Sequence, residues 1–122
     1  MKNAKRALSL LLLLSLALCL VSCDAPIDRA ERILREEGFT VTRYGEGAEG
    51  SSLSSVHEDL TSRLTATRDG EWLHIYVFHD EEKAIAFYGV YAEKYKALPN
   101  MAAAIDGCTV YEGLDSVYRL LK

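Results

Sequence analysis

From residue 26 onward the apolar side chains recur first at helical spacing and then at strand spacing. Ile27, Ala30, Ile33 and Leu34 stand at i, i+3, i+6 and i+7, a single stripe that predicts a helix over residues 26–37. Asp24 or Ala25 falls at its cap, Pro26 in its first turn and Gly38 just past its end. Residues 39–44 then alternate as a strand. Phe39, Val41 and Arg43 lie on one face, and Thr40, Thr42 and Tyr44 on the other. The glycines and serines of residues 45–55 predict a loop that leads into a short helical turn over residues 53–60.

The strongest local signal is Asp69-Gly70, set between two β-rich runs as a two-residue type I′ turn. That turn fixes a register. Arg68 faces Glu71, Ala66 faces Leu73, Leu64 faces Ile75 and Ser62 faces Val77. On the other face Thr67 meets Trp72, Thr65 meets His74 and Arg63 meets Tyr76. The register puts every aliphatic side chain of these pairs on one face and every aromatic one on the other, as a sheet with one buried face requires.

A second helix starts at Asp80, a good N-cap, with Glu81 and Glu82 favouring the positive end of the helix dipole. Ala84, Phe87, Tyr88, Tyr91 and Tyr95 mark its buried side, and Pro99-Asn100 stops it. An alanine-rich loop over residues 101–107, a last strand over 108–112 and a short helix over 114–121 complete the chain. This order predicts an α+β two-layer sandwich, a mostly antiparallel sheet of about four strands with helices packed on one face. From the first strand onward it loosely resembles a ferredoxin-like order, provided the segment in the 50s supplies a crossover helix. That likeness implies no function.

Composition adds compartment rather than chemistry. The chain has 122 residues, 49% hydrophobic and 26% charged, enough for one domain. The net charge of −4, with no basic cluster, excludes an ordinary nucleic-acid binder. The first residues are of a different material. Lys2, Lys5 and Arg6 precede an uncharged run of Ala, Leu and Ser with one Cys over residues 7–20. This is the layout of a secretory signal, too short to cross a hydrocarbon core of about 30 Å comfortably. Leu20-Val21-Ser22-Cys23 follows and resembles the lipobox of bacterial lipoproteins. The resemblance covers the signal and its cleavage site. The remaining domain is similar to small lipoproteins without an assigned role. The resemblance implies that residues 1–22 are removed and that Cys23 becomes a diacylglyceryl-modified N-terminus. It also implies that residues 23–122 form one extracytoplasmic domain held to the membrane by lipid. An Asp after that Cys, here Asp24, resembles an inner-membrane retention signal of some Gram-negative lipoproteins.

Removal of residues 1–22 takes away Lys2, Lys5 and Arg6 and no acid, so the charge moves from −4 to −7. Only Cys108 would then remain as a thiol, which excludes an intramolecular disulfide. Two residues, Asp24 and Ala25, separate the Cys from the first helix, about 10 Å of extended chain, so the domain is expected to work close to the membrane.

The candidate contact surface is the aromatic face of the hairpin. Trp72, His74 and Tyr76, with Phe78 beyond them and Arg63 as a charged partner, place polar-tipped rings on a rigid sheet suited to a protein, a peptide or a sugar. By alternation Tyr44 and Tyr111 join them. A helix lying over this face would make it core instead. The metal signals are weak. His79 to Glu82 and His57 to Asp59 lack a recognised ligand spacing, so neither metal nor cofactor is expected. Residues 45–50 spell G-x-G-x-x-G, but Glu46 and Glu49 inside it would repel phosphate. The serines before His57 show no nucleophile elbow. The resulting expectation is a non-enzymatic binding or interaction module. One alternative is a small envelope hydrolase using His57 or His74 beside a carboxylate or Cys108. Another is an accessory solute-binding component, for which 100 mature residues are few.

Overall fold

Asp69 and Gly70 both take left-handed backbone angles, with φ of 47° and 83°, and the chain folds back as a type I′ hairpin. The two strands it joins are β2 (Leu60–Arg68) and β3 (Glu71–Phe78). Their register runs from Arg68↔Glu71 to Ser62↔Val77 in the pairs that the turn chemistry predicts. Beyond Ser62 the ladder shifts by one residue and Leu60 meets Phe78. Thr61 stands at this bulge and its hydroxyl donates to the Val77 carbonyl at 3.2 Å. The computed structural model describes residues 25–45 and 59–122.

Helix α1 (Pro26–Glu36) precedes β1 (Thr40–Gly45), which pairs antiparallel with β2. After β3 come α2 (Glu81–Tyr95), β4 (Met101–Asp106), β5 (Thr109–Leu114), α3 (Asp115–Tyr118) and a 3₁₀ turn (Arg119–Leu121). The fold is α+β, built on one open antiparallel sheet in the order β1-β2-β3-β5-β4. It has five strands rather than about four, because residues 101–106 form β4 and not a loop. Three alanines carry little intrinsic strand preference and show no alternation. They become a strand because Gly107, at φ 59°, folds them back onto β5, and because small side chains let α2 lie across them. The ferredoxin-like order does not hold either. That order places parallel neighbours at its centre, whereas β1 here sits at an edge as the antiparallel neighbour of β2, a link that needs no crossover. Of the helical turn expected over residues 53–60, Leu60 belongs to β2, and residues 53–58 lie outside the described residues.

Helices cover both faces of the sheet, not one. On the first face Ile27, Ala30 and Leu34 of α1, with Val117 and Leu121 from the C-terminus, pack on Leu64, Ala66, Leu73 and Ile75. Arg43 points the same way and bonds Asp28 and Glu31, tying β1 to α1. On the second face Ala84, Phe87 and Tyr88 of α2 pack on Tyr76, Phe78 and Val110. Asp80 caps α2 as expected, its side chain accepting the Glu82 N–H at 2.8 Å. Among the described residues no helix is long and apolar enough to cross a membrane.

One backbone position is tightly determined. Gly113 has a φ of 153°, and a Cβ there would stand 2.8 Å from the Trp72 carbonyl oxygen and 2.9 Å from the Leu73 Cα. Both neighbours are backbone and cannot swing away. Gly113→Ala is expected to destabilise the fold by about 2–4 kcal/mol, from overpacking and backbone strain combined. The midpoint of urea unfolding reads this directly, and an unchanged midpoint would contradict the close approach of β5 to β3.

Candidate functional site

The pairing of β1, β2 and β3 places nine side chains in a regular grid on the second face. Reading across the strands, the rows are Tyr44–Arg63–Tyr76, then Thr42–Thr65–His74, then Thr40–Thr67–Trp72. Neighbouring strands lie about 4.8 Å apart and alternate residues about 6.7 Å apart along a strand, so the grid spans roughly 10 by 13 Å. Helix α2 lies over β3, β5 and β4 and closes only one corner. Tyr76 is therefore buried, at 6% exposure, beneath Phe87, whose ring centroid is 4.7 Å away. Among the described residues nothing comparable covers the rest. Thr40, Thr42 and Thr67 are exposed, and Tyr44, Arg63, Thr65, Trp72 and His74 are half-buried.

The open rows differ in character. Thr40, Thr67, Trp72 and His74 border an open concavity of about 800 Å³ that extends to the Asp69-Gly70 turn. The Trp72 and His74 rings are stacked obliquely, 5.0 Å apart, and His74 Nδ1 shares a hydrogen bond of 3.1 Å with the Thr65 hydroxyl. In the first row the Arg63 guanidinium lies between two rings, 5.8 Å from the centre of Tyr44 and 5.5 Å from that of Tyr76. Its Nε is buried and has no hydrogen-bond partner.

Beneath α2 the grid continues into a buried polar cluster. Glu112 of β5 stands beside His74 in the ladder and is 3% exposed. One carboxylate oxygen accepts the Tyr76 hydroxyl at 3.0 Å, and the other accepts the Tyr95 hydroxyl from α2 at 2.6 Å. These two bonds join the sheet to the helix. Burial, with Glu112 alongside, pushes the Tyr76 and Tyr95 phenols well above their ordinary range, and Tyr91 is raised by the same causes.

Burial lowers the His74 pKa below 6.5; the neighbouring Glu112 opposes this and Arg63 reinforces it. The neutral imidazole is thus the form the fold prefers. Its stabilising contribution is complete above pH 6.5 and is lost as pH falls through the lower folded value, because the unfolded chain binds the proton first. The ring-proton shifts of His74 are expected to titrate with a midpoint below 6.5. A midpoint above it would mean that Glu112, not burial, governs the site.

The four residues expected at the contact surface, Arg63, Trp72, His74 and Tyr76, do share one face. Tyr76 is a correction within that set, since α2 seals it and it supports Arg63 from below instead of meeting solvent. Tyr44 joins the grid by alternation, as expected. Tyr111 does not. It pairs with Ile75 and packs with the aliphatic core on the first face, where burial and nearby Asp106 raise its pKa to about 12. Cys108 is half-buried with a free thiol in the turn before β5. His79 is exposed, and no metal-binding group of His, Cys, Asp or Glu occurs among the described residues. Cys23, the serines at 51–55 and His57 lie outside the described residues, as does the G-x-G-x-x-G run beyond Gly45.

Sequence reasoning set Thr65 and Thr67 beside the aromatic residues but passed over Glu112, Thr40 and Thr42 as part of the face. The threonines carried a signal, for Thr40-Val41-Thr42 and Thr65-Ala66-Thr67 repeat one hydroxyl–apolar–hydroxyl pattern in adjacent strands. No protein-family model, curated protein or solved structure matches the chain.

Proposed function

We propose that the chain is a lipid-anchored, extracytoplasmic binding module that acts without catalysis, with the open part of the second sheet face as its contact surface. One observation carries the reading. Helix α2 closes the Tyr76 end of the face, while Trp72, His74 and Arg63 remain accessible beside rows of threonine hydroxyls. Rings with polar tips on a rigid sheet bind with little loss of side-chain freedom. The anchor is supported by the basic start, the apolar run and the lipobox-like Leu20-Val21-Ser22-Cys23. The partner classes are a protein, a peptide or a sugar.

A hydrolase is the second reading, favoured by the Thr65–His74 hydrogen bond, which has the form of a nucleophile beside its base. The surroundings do not complete it. Both Glu112 oxygens are taken by Tyr76 and Tyr95, so that carboxylate does not orient the imidazole. The accessory solute-binding reading has less support, because the described residues build one sheet and no pair of lobes.

The test uses the full chain immobilised in detergent. The wild type is expected to retain an envelope component that Trp72→Ala/His74→Ala releases, with near-ultraviolet circular dichroism showing an intact fold. Identical retention by both proteins would overturn the contact surface.

A further inference from the structure

Arg63 differs from other arginines of this fold. Arg35, Arg43, Arg68 and Arg119 each contact a carboxylate, respectively Glu31, Asp28 with Glu31, Glu71 and Asp115. In a chain with 18 acidic residues against 14 basic ones, partners are plentiful. Yet no described carboxylate pairs with Arg63, and its buried Nε lacks any acceptor. The nearest acid in the cluster, Glu112, has both oxygens engaged by tyrosines. A buried donor without a partner is costly, and two tyrosine rings hold this one in place. Two tyrosine rings thus hold a guanidinium that no described carboxylate neutralises, an arrangement that suits an external anion. The planar fork suits a carboxylate. A singly charged group also suits an acidic chain better than a doubly charged phosphate.

The other rows specify what carries that carboxylate. Thr40, Thr42, Thr65 and Thr67 form a two-by-two array of hydroxyls, of which Thr65 already shares a hydrogen bond with His74. Trp72 ends the array with an apolar ring. The backbones of β2 and β3 are paired on both sides, so the middle of this face offers only side chains. A peptide added as a strand would lie beside the β1 edge and not across the grid. Hydroxyls beside a flat ring match a sugar, whose hydroxyls bond in the plane and whose C–H face packs on an indole. Arg63 and Trp72 stand at opposite ends of the grid, about 13 Å apart along the strands, which is too far for a single ring.

We propose that this face binds an acidic oligosaccharide, with a uronate carboxylate on Arg63, the chain lying over the threonines and a sugar ring against Trp72. This rests on the reading of the face as a binding surface and names its ligand class. Binding is a non-covalent docking on a preformed array.

Trp72 is the one tryptophan of the chain, so its fluorescence reports the site in the full-length protein. The full chain in a sugar-free detergent is titrated with oligomers of galacturonate, alginate and hyaluronan. Each is matched with its neutral methyl ester. At least one acidic oligomer is expected to shift Trp72 emission and shield it from acrylamide. Its ester, and the acid form on Arg63→Gln, are expected to bind about ten- to hundred-fold more weakly. Thr42→Val/Thr67→Val, both at exposed positions, removes hydroxyls without touching the core and is expected to weaken binding several-fold.

No binding by any oligomer, or equal binding of acid and ester, would overturn the proposal. If partner capture still depends on Trp72 and His74 in that case, the binding face stands and only the saccharide assignment falls. Tight binding of peptides with a free C-terminal carboxylate, and of no oligomer, is that outcome in its most direct form. If capture is also indifferent to Trp72 and His74, the binding face falls with it.

Discussion

Glu112→Ala is expected to cost about 3–5 kcal/mol, a large share of the 5–15 kcal/mol that holds a domain of this size together. The substitution strands two hydroxyls at once. Tyr76 from the sheet and Tyr95 from α2 both donate to Glu112, and both are themselves buried. Each unsatisfied donor costs about 1–3 kcal/mol, and the missing side chain leaves a void beneath the helix. Glu112→Gln keeps one carbonyl acceptor but turns an amide donor toward the other hydroxyl, so about half that loss is expected. Tyr95→Phe removes only one partner and is expected to be milder than either. Because the groups act together, Tyr95→Phe with Glu112→Ala should cost clearly less than the sum of the two singles. Urea unfolding of the wild type and these four variants reads all of this. A Glu112→Ala loss below about 1 kcal/mol would mean that apolar packing alone holds α2 in place.

The same cluster sets a response to alkali. Tyr76, Tyr91 and Tyr95 have pKa values raised in the fold, and Tyr111 is raised to about 12. A raised value means that the unfolded chain releases these protons first. The stability they contribute is complete below pH 10 and declines as pH rises toward the folded values. On Glu112→Ala the Tyr76 and Tyr95 shifts are expected to shrink, which a spectrophotometric phenol titration would follow.

The sequence made the hairpin legible because Asp69-Gly70 admits very few backbones, and a type I′ turn dictates the register of everything that flanks it. From that register alone, Arg63, Trp72 and His74 fall on one face. The position of α2 was less accessible. Its buried stripe of Ala84, Phe87, Tyr88, Tyr91 and Tyr95 identifies which side packs but not which sheet face receives it. That choice is made by the β4–β5 hairpin, whose docking on β3 through β5 is non-local. For the same reason Tyr111 was assigned to the wrong face. A shift of one residue exchanges faces, and nothing near Tyr111 in the chain pins its register to β3. Glu112 shows the same limit. A single glutamate in a strand reads as surface until its cross-strand neighbours are known to be His74 and Ala103, with the Tyr76 hydroxyl within reach.

Cys23→Ala is expected to abolish fatty-acid incorporation and to leave residues 1–22 on the chain. Wild-type protein should carry a diacylglyceryl thioether on an N-terminal Cys23, which intact-mass measurement resolves. Each buried methylene contributes about 0.8 kcal/mol. One acyl chain binds a membrane only marginally, whereas two hold it. Wild-type protein that retains residues 1–22 and carries no lipid would remove the anchor from the proposal. The fold adds a geometric consequence. Cys23 lies close before α1, which begins at Pro26 and packs on the first face of the sheet. The grid around Trp72 occupies the opposite face, so under the proposed anchor a tether of about 10 Å would draw the α1 side toward the headgroups and leave the grid facing away. Acrylamide is therefore expected to quench Trp72 equally in vesicle-bound and detergent-dispersed protein, and brominated lipids should quench it little. Strong quenching by brominated lipids would place the aromatic face against the membrane, and Trp72 would then be a lipid contact.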